Sequence, residues 1–325
     1  MSGFLITGAA GFIGSTLSEF LLEKGFRVIG IDNFDSFYDR QIKEDNLRKS
    51  LSHPSFSFHE IDIANRNELK TIAEKVDTVI HLAAKVGVLP SIKDPVGYIQ
   101  TNIVGTNNLL EWMKENQIRK MVFASSSSVY GNQSKTPFSE TDNIDFPISP
   151  YAVTKKSCEL LNHVYHHLHK IDIINLRFFT VFGPRQRPDL AIHKFIKLIE
   201  AGEPITMYGD GSTARDYTFI TDIIAGIDGA LTYLKEHNSV FETVNLGNNH
   251  PVKLQDLIYL LYQMMKAEPD IKTLPMQAGD VTVTYADISK ANRLFGYKPK
   301  VKFEDGLNIF MDWYLQCPKI ARQKV

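Results

Sequence analysis

Short apolar runs alternate with longer stretches whose apolar residues recur every three to four positions, and this rhythm governs the first half of the chain. The runs at 3–7 (GFLIT), 27–31 (RVIGI), 56–60, 78–82, 120–125 and 172–179 have the length and character of buried strands. Between them, 13–24, 68–75, 96–115 and 154–169 carry helical spacing; in the first of these Ile13, Leu17, Phe20, Leu21 and Leu22 turn toward a sheet. Strands alternating with helices predict an α/β fold, a Rossmann-type doubly wound parallel sheet with helices on both faces. After Gly183-Pro184 the pattern changes to helices near 192–201, 222–235, 254–266 and 303–313, separated by strand-like pieces at 206–208 and 244–246.

The first strand runs into Gly8-Ala9-Ala10-Gly11-Phe12-Ile13-Gly14. Glycines there permit a tight strand-to-helix turn and close approach of a pyrophosphate, which the helix N-terminus attracts through free N–H groups and partial positive charge. Asp32 closes the second strand, followed by Asn33, at the spacing where a carboxylate accepts hydrogen bonds from an adenosine ribose. A free carboxylate repels a 2′-phosphate, and no arginine follows before Arg40, so the expected cofactor is NAD rather than NADP. Residues 1–180 are thus expected to form the NAD-binding domain, with about 215–247 returning to it. Residues 181–325 are expected to form mainly a smaller α/β substrate-binding region.

Tyr151 and Lys155 stand four apart in SPYAVTKK and share one helix face. A tyrosine of pKa about 10 is a poor base at neutral pH, and bringing it to 7 needs about 4 kcal/mol of phenolate stabilisation. A lysine ammonium and a positive nicotinamide in a desolvated cleft are the expected source. Ser126, at the end of the fifth strand, is placed to hydrogen-bond the same substrate hydroxyl. Tyr151 would then remove the hydroxyl proton while hydride leaves the carbon for the nicotinamide.

Composition adds exclusions. With 36 Lys and Arg against 37 Asp and Glu, the chain has no general attraction for nucleic acid. The apolar run 171–182 is of strand length and is interrupted by Asn175 and Arg177, so no membrane span is expected. The N-terminus lacks a basic stretch followed by an apolar core, and the 2 cysteines, Cys158 and Cys317, suit a reducing cytoplasm.

GAAGFIGS, Asp32, Asp62-Ile63, HLAA (81–84), SSSSVYG (125–131) and SPYAVTK (149–155) together resemble extended short-chain dehydrogenases/reductases of the NAD-dependent epimerase/dehydratase family acting on nucleotide sugars. Within it, RFFTVFGPRQRPDLAIHKF (177–195) and AGDVTVTYADISKA (278–291) are most similar to UDP-glucuronate 4-epimerases. The resemblance implies that Asp62 and Ile63 flank the adenine and that Leu82, Ala83 and Ala84 line the NAD pocket. It implies that Arg215 and Asp280 hold the nucleotide end of the substrate, with Ser127, Ser128, Thr180 and Arg187 at the sugar. Thr180 and Arg187 would clamp the C5 carboxylate, which suppresses loss of CO2 from a 4-keto uronate, a β-keto acid. A loop ion pair between Arg187 and Asp189 is the competing role.

Similar dehydratases carry an Asp-Glu pair, and glucuronate decarboxylases the Glu, where this chain has Ser127 and Ser128; without that carboxylate, proton abstraction at C5 lacks its agent. The expected reaction is therefore 4-epimerisation of UDP-glucuronate to UDP-galacturonate through a 4-keto intermediate. Another UDP-sugar is the alternative, then decarboxylation, then a non-catalytic NAD sensor. Relatives have arginine where this chain has Leu89, which removes a charge near the expected sugar region; Lys85 is the candidate to compensate. His193 is expected near the sugar nucleotide. His163 and His167 have metal-ligand spacing, but no metal is expected, since the cluster reads as a polar helix face. Ile99, Ile103, Leu109, Leu110 and Met113 are either core or, with helix 154–169, the contact of a homodimer.

Overall fold

The computed structural model describes residues 3–276 and 281–317. Strands β1 (Gly3–Thr7), β2 (Arg27–Asp32), β3 (Phe56–Glu60), β4 (Thr78–His81), β5 (Lys120–Ser126) and β6 (Asp172–Phe178) form where the apolar runs lie. The second half adds β7 (Thr180–Phe182), β8 (Ile205–Tyr208), β9 (Ala214–Phe219), β10 (Phe241–Leu246), β11 (Pro251–Lys253) and β12 (Ile271–Leu274). The central sheet is seven-stranded in the order β10-β6-β5-β4-β1-β2-β3, and every pairing in it is parallel. Its outermost strand β10 comes from the second half and lies beside β6. Side-chain alternation in β1 feeds both faces: Phe4 and Ile6 join one core cluster and Leu5 the other. Each fully buried aliphatic side chain there contributes about 1.5–3 kcal/mol relative to exposure.

The helices of the first half are α1 (Phe12–Glu23), α2 (Arg40–Leu51), α3 (Arg66–Leu69), α4 (Val88–Lys93), α5 (Pro95–Tyr98), α6 (Gly105–Glu115) and α7 (Pro150–His169). Those of the second are α8 (Ala191–Ala201), α9 (Ile220–Glu236), α10 (Leu254–Met265), α11 (Ser289–Phe295) and α12 (Phe303–Gln316).

Three segments depart from the periodicity. Helix α2 was not expected, because few of its residues are apolar; it is held by Asp39, whose side chain accepts the Gln41 N–H, and by an Arg40–Glu44 pair one turn apart. The expected helix 68–75 closes after Leu69. The expected helix 96–115 is α5, a π-helical turn at Ile99–Val104 and then α6. In that wider turn the buried Asn102 donates to Lys85 O (2.9 Å) and Thr154 Oγ1 (2.9 Å) and accepts the Lys85 N–H (2.8 Å), fastening the loop after β4 to α7.

Candidate active site

Strand order reverses between β1 and β4, and a crevice opens at their carboxyl ends. The cleft there is about 630 Å³. Gly8 adopts φ +72°, and a Cβ on it would stand 2.9 Å from the Ala83 nitrogen; one on Gly14 would stand 2.1 Å from the Gly8 oxygen. Both positions therefore admit only glycine. Gly11 precedes α1 without a side-chain cap, and the first turn of α1 holds no acid, so its N–H groups are not taken up by a carboxylate of the helix itself. Thr7 Oγ1 accepts the Leu82 and Ala83 N–H groups at 3.1 and 3.0 Å and bonds His81 Nδ1 at 2.7 Å. Burial drives the His81 pKa down to about 3, so this imidazole is a neutral brace between β1 and α6.

Asp32 is buried at the end of β2 and accepts N–H bonds from Phe34 (2.9 Å) and Ala10 (3.2 Å). Burial raises its pKa, against the pull of Lys43. Lys43, a cation that motif reading missed, is buried and donates to Asp35 O at 2.7 Å. Arg40 is turned away, paired with Glu60 and Glu44.

Ser149 caps α7 by accepting the Ala152 N–H, and Pro150 opens the first turn, so Tyr151 and Lys155 enter the cleft from the start of a helix. Ser126 ends β5; its Oγ donates to Ser128 Oγ at 3.1 Å and accepts the Ser128 N–H at 3.2 Å. Burial raises the Tyr151 pKa, and the groups that oppose it are Ser126, by a hydrogen bond, and Arg187, by its charge. Lys155 donates to Ala124 O at 2.7 Å, and burial brings its own pKa down to about 8.

Arg187 comes from the loop after β7. Its Nε and Nη2 donate to the two Asp189 oxygens at 2.9 and 2.7 Å, while Nη1 has no hydrogen-bond partner among the described residues. The ion pair with Asp189 and a position in the cleft are thus both true of it. All the expected cofactor and sugar residues line this one cleft. Of the two expected at the nucleotide end, Arg215 sits on β9 opposite Val252 and is not among the residues that line the described cleft, and Asp280 lies outside the described residues.

Three further candidates take defined places. Leu89 is exposed on α4 and does not line the cleft, whereas Lys85 and Lys93 do; Lys85 Nζ is 3.1 Å from Asp94. His193 is buried edge-on to the rings of Phe310, Trp313 and Tyr314 and does not line the cleft. His163 and His166 pack on Phe241, and no group of three or more metal-ligating side chains is found among the described residues. Sequence reading also missed Phe37, Tyr38 and Tyr98 in the cleft wall. Tyr98 donates to Val86 O at 2.8 Å and meets Tyr151 edge-on at 6.3 Å. An aromatic pair in a polar loop just past Asp32 was the available signal for the first two.

The family model described as GDP-mannose 4,6 dehydratase matches residues 5–310. The chain belongs to this family. Its members include the NAD-dependent epimerases and dehydratases of the short-chain dehydrogenase/reductase type. A UDP-glucuronate 4-epimerase from Thermodesulfobacterium geofontis is 43% identical over 316 residues, spanning 96% of each chain. Among solved structures, a UDP-glucuronic acid 4-epimerase from Bacillus cereus in complex with UDP-glucuronic acid and NAD is 40% identical with a TM-score of 0.91, covering 97% of this chain and 99% of its own. A UDP-N-acetylglucosamine 4-epimerase from Methanobrevibacter ruminantium is 32% identical with a TM-score of 0.87, covering 97% and 98%. Although the family model is named for a dehydratase, the 3-10 turn after β5 presents Ser127 and Ser128, with no carboxylate.

Proposed function

We propose that this chain is a UDP-sugar 4-epimerase that interconverts UDP-glucuronate and UDP-galacturonate with tightly held NAD. The observation that carries the uronate assignment is Arg187, cationic in the same cleft as Tyr151 and Thr180 with its Nη1 donors uncommitted. NAD, when bound, supplies a reversible hydride acceptor. The glycine-only turn and buried Asp32 suit its pyrophosphate and ribose, with Asp62, Ile63 and 82–84 along the remainder.

Tyr151 takes the proton from the sugar C4 hydroxyl and returns one to that oxygen when the turned 4-keto sugar is reduced on its opposite face, while Ser126 holds the oxygen. Lys155, anchored on Ala124 O, fixes the ribose side of the cleft and keeps a positive charge behind the phenol. Thr180 and Arg187 hold the C5 carboxylate away from the geometry that releases CO2 from a β-keto acid. Serines at 127 and 128 leave C5 without a base, which favours epimerisation over dehydration or decarboxylation. Residues 1–180, with 215–247, carry the coenzyme half, and 181–325 mainly the sugar-nucleotide half, Arg215 and Asp280 included.

The direct test is NMR of UDP-glucuronate incubated with the protein: the galacturonate isomer should accumulate without net NADH, and a released pentose would indicate decarboxylation instead. Arg187→Ala should raise KM for UDP-glucuronate by at least about tenfold, the scale of a lost charge-assisted bond, and leave a neutral UDP-hexose less affected. Because Arg187 favours the Tyr151 phenolate, its loss should also move the acid limb of the pH–rate profile to higher pH. Equal losses on both sugars would remove the carboxylate role.

The protein acts as a homodimer. Val153, Leu160, Val164 and Leu168 form one exposed stripe along α7, beside exposed Val96 and Ile99. Such an apolar stripe calls for a partner, and a second copy of α7 offers one. The double substitution Val164→Glu/Leu168→Glu should shift the sedimentation coefficient from dimer to monomer; an unchanged value would place the interface elsewhere. Among the described residues no helix is long and apolar enough to cross a membrane, and no nucleic-acid partner is expected.

A further inference from the structure

The segment between β2 and α2 runs from the coenzyme end of the cleft to Arg187. Its path is built in. Phe34 adopts φ +49°, a left-handed conformation costly for a bulky residue, and is held there from several sides. Asp32 accepts its N–H at 2.9 Å, the Arg40 guanidinium lies 4.2 Å from its ring, and the Phe58 ring stands 5.4 Å away. Next, Asn33 accepts the Asp35 N–H (3.1 Å) and Asp35 accepts that of Phe37 (2.9 Å). These successive turns present Phe37 and Tyr38 to the cleft, where Lys43 lies 4.7 Å from the Tyr38 ring.

The Phe37 ring stands 5.1 Å from the Arg187 guanidinium carbon, yet Phe37 is 46% exposed. A phenyl ring left so open in a polar loop loses apolar burial, and the cation is what it contacts in return. Asp189 already takes two of the donors of Arg187 and much of its charge. An arginine so neutralised attracts a second carboxylate weakly unless its remaining N–H donors are held in place and shielded from water.

We propose that Phe37 is a specificity-determining positioning residue: its ring fixes the Arg187 guanidinium against Asp189, so that Nη1 is preset for the carboxylate of a uronate. The inference rests on the functional reading above and deepens it, since it makes a loop anchored on Asp32 responsible for telling uronate from neutral hexose. The Phe37 ring meets Arg187 rather than Ser126, Tyr151 or Lys155, so its main effect falls on sugar affinity rather than on turnover.

The test compares wild type, Phe37→Ala and Phe37→Trp, all loaded with NAD, by calorimetric titration with UDP-glucuronate and with UDP-galactose. Bound NAD, measured by release on denaturation, verifies that each variant is folded. Phe37→Ala should weaken UDP-glucuronate binding about fivefold, the upper end of the range for a solvent-exposed cation–π contact, and change UDP-galactose binding by less than about twofold. Phe37→Trp, which keeps an aromatic face, should recover most of the loss, and kcat on UDP-glucuronate should stay within about threefold in both variants. Equal weakening for both sugars, no weakening, or no rescue by tryptophan overturns the proposal. If the wild type epimerises UDP-glucuronate while Phe37→Ala binds it normally, this inference alone fails. Wild type that does not bind the uronate overturns it together with the functional reading.

Discussion

Tyr151→Phe should lower kcat for UDP-glucuronate epimerisation by about 10³-fold, within the span of a lost general acid–base group, while NAD occupancy stays unchanged. The substitution removes one oxygen and leaves the ring. Tyr151 is buried, and its ring lies edge-on to Tyr98 at 6.3 Å, a contact phenylalanine keeps. Folding should therefore survive, and the loss should report the proton alone. Burial raises the phenol's pKa, so the free protein holds it protonated around neutrality. Arg187 and the Ser126 hydrogen bond act in the opposite direction, as does any positive charge brought in beside it. Turnover is expected to follow the phenolate and to rise as pH increases toward the phenol's pKa. Single-turnover absorbance at the reduced nicotinamide band would check the first step separately. A variant retaining more than a tenth of wild-type rate would move the proton relay to another group.

The second large effect concerns stability. Arg177→Met should destabilise the fold by about 3–5 kcal/mol, the cost of stranding a buried charge, measured by urea unfolding. Arg177 and Glu159 are both buried and meet bidentately at 2.9 and 2.8 Å. Ser125 donates to the same carboxylate at 2.6 Å, and Arg177 Nη1 donates to Tyr130 Oη at 2.9 Å. Tyr130 in turn donates to Asn245 Oδ1 at 2.6 Å, and Asn245 donates to Phe138 O at 2.9 Å. The network thus ties the end of β5, the Ser127–Tyr130 turn, α7, β6 and β10 together next to Ser126 and Lys155. With Met at 177, Glu159 would remain buried with Ser125 as its hydrogen-bond donor. The double substitution Glu159→Leu/Arg177→Met removes both charges and should recover most of the loss, as apolar replacements of buried pairs commonly do. If the single variant costs less than about 1 kcal/mol, the pair is solvated far more than its burial implies.

Arg177 and Asn175 illustrate where reading the chain stops. As letters, they interrupt an apolar run and argue against a membrane span. In three dimensions Arg177 is the hub of a buried network, and Asn175 accepts the Asn162 side-chain N–H at 2.7 Å. Nothing in their spacing names Glu159 or Tyr130 as partners. Arg187 shows the same limit more sharply. The sequence offered two competing roles, and the fold makes the ion pair with Asp189 compatible with a place in the cleft, because only two of its nitrogens are engaged. Leu89, which as a letter removes a charge near the expected sugar region, is exposed on α4, while Lys85 and Lys93 stand on the cleft wall.

The chain by itself determined the parallel sheet, the glycine turn, Asp32 and the Ser126, Tyr151, Lys155 set. All of these are local: each depends on strand or helix periodicity, on a backbone angle that demands glycine, or on residues one helical turn apart. Tertiary structure decided the place of Arg187 in one cleft with Tyr151, the breaking of 96–115 by a π-helical turn, the pairing of β10 with β6, and the meeting of Phe37 with Arg187. Those outcomes depend on distances between segments far apart in sequence. Such distances are set by packing and desolvation summed over the whole core, which no short window of residues contains.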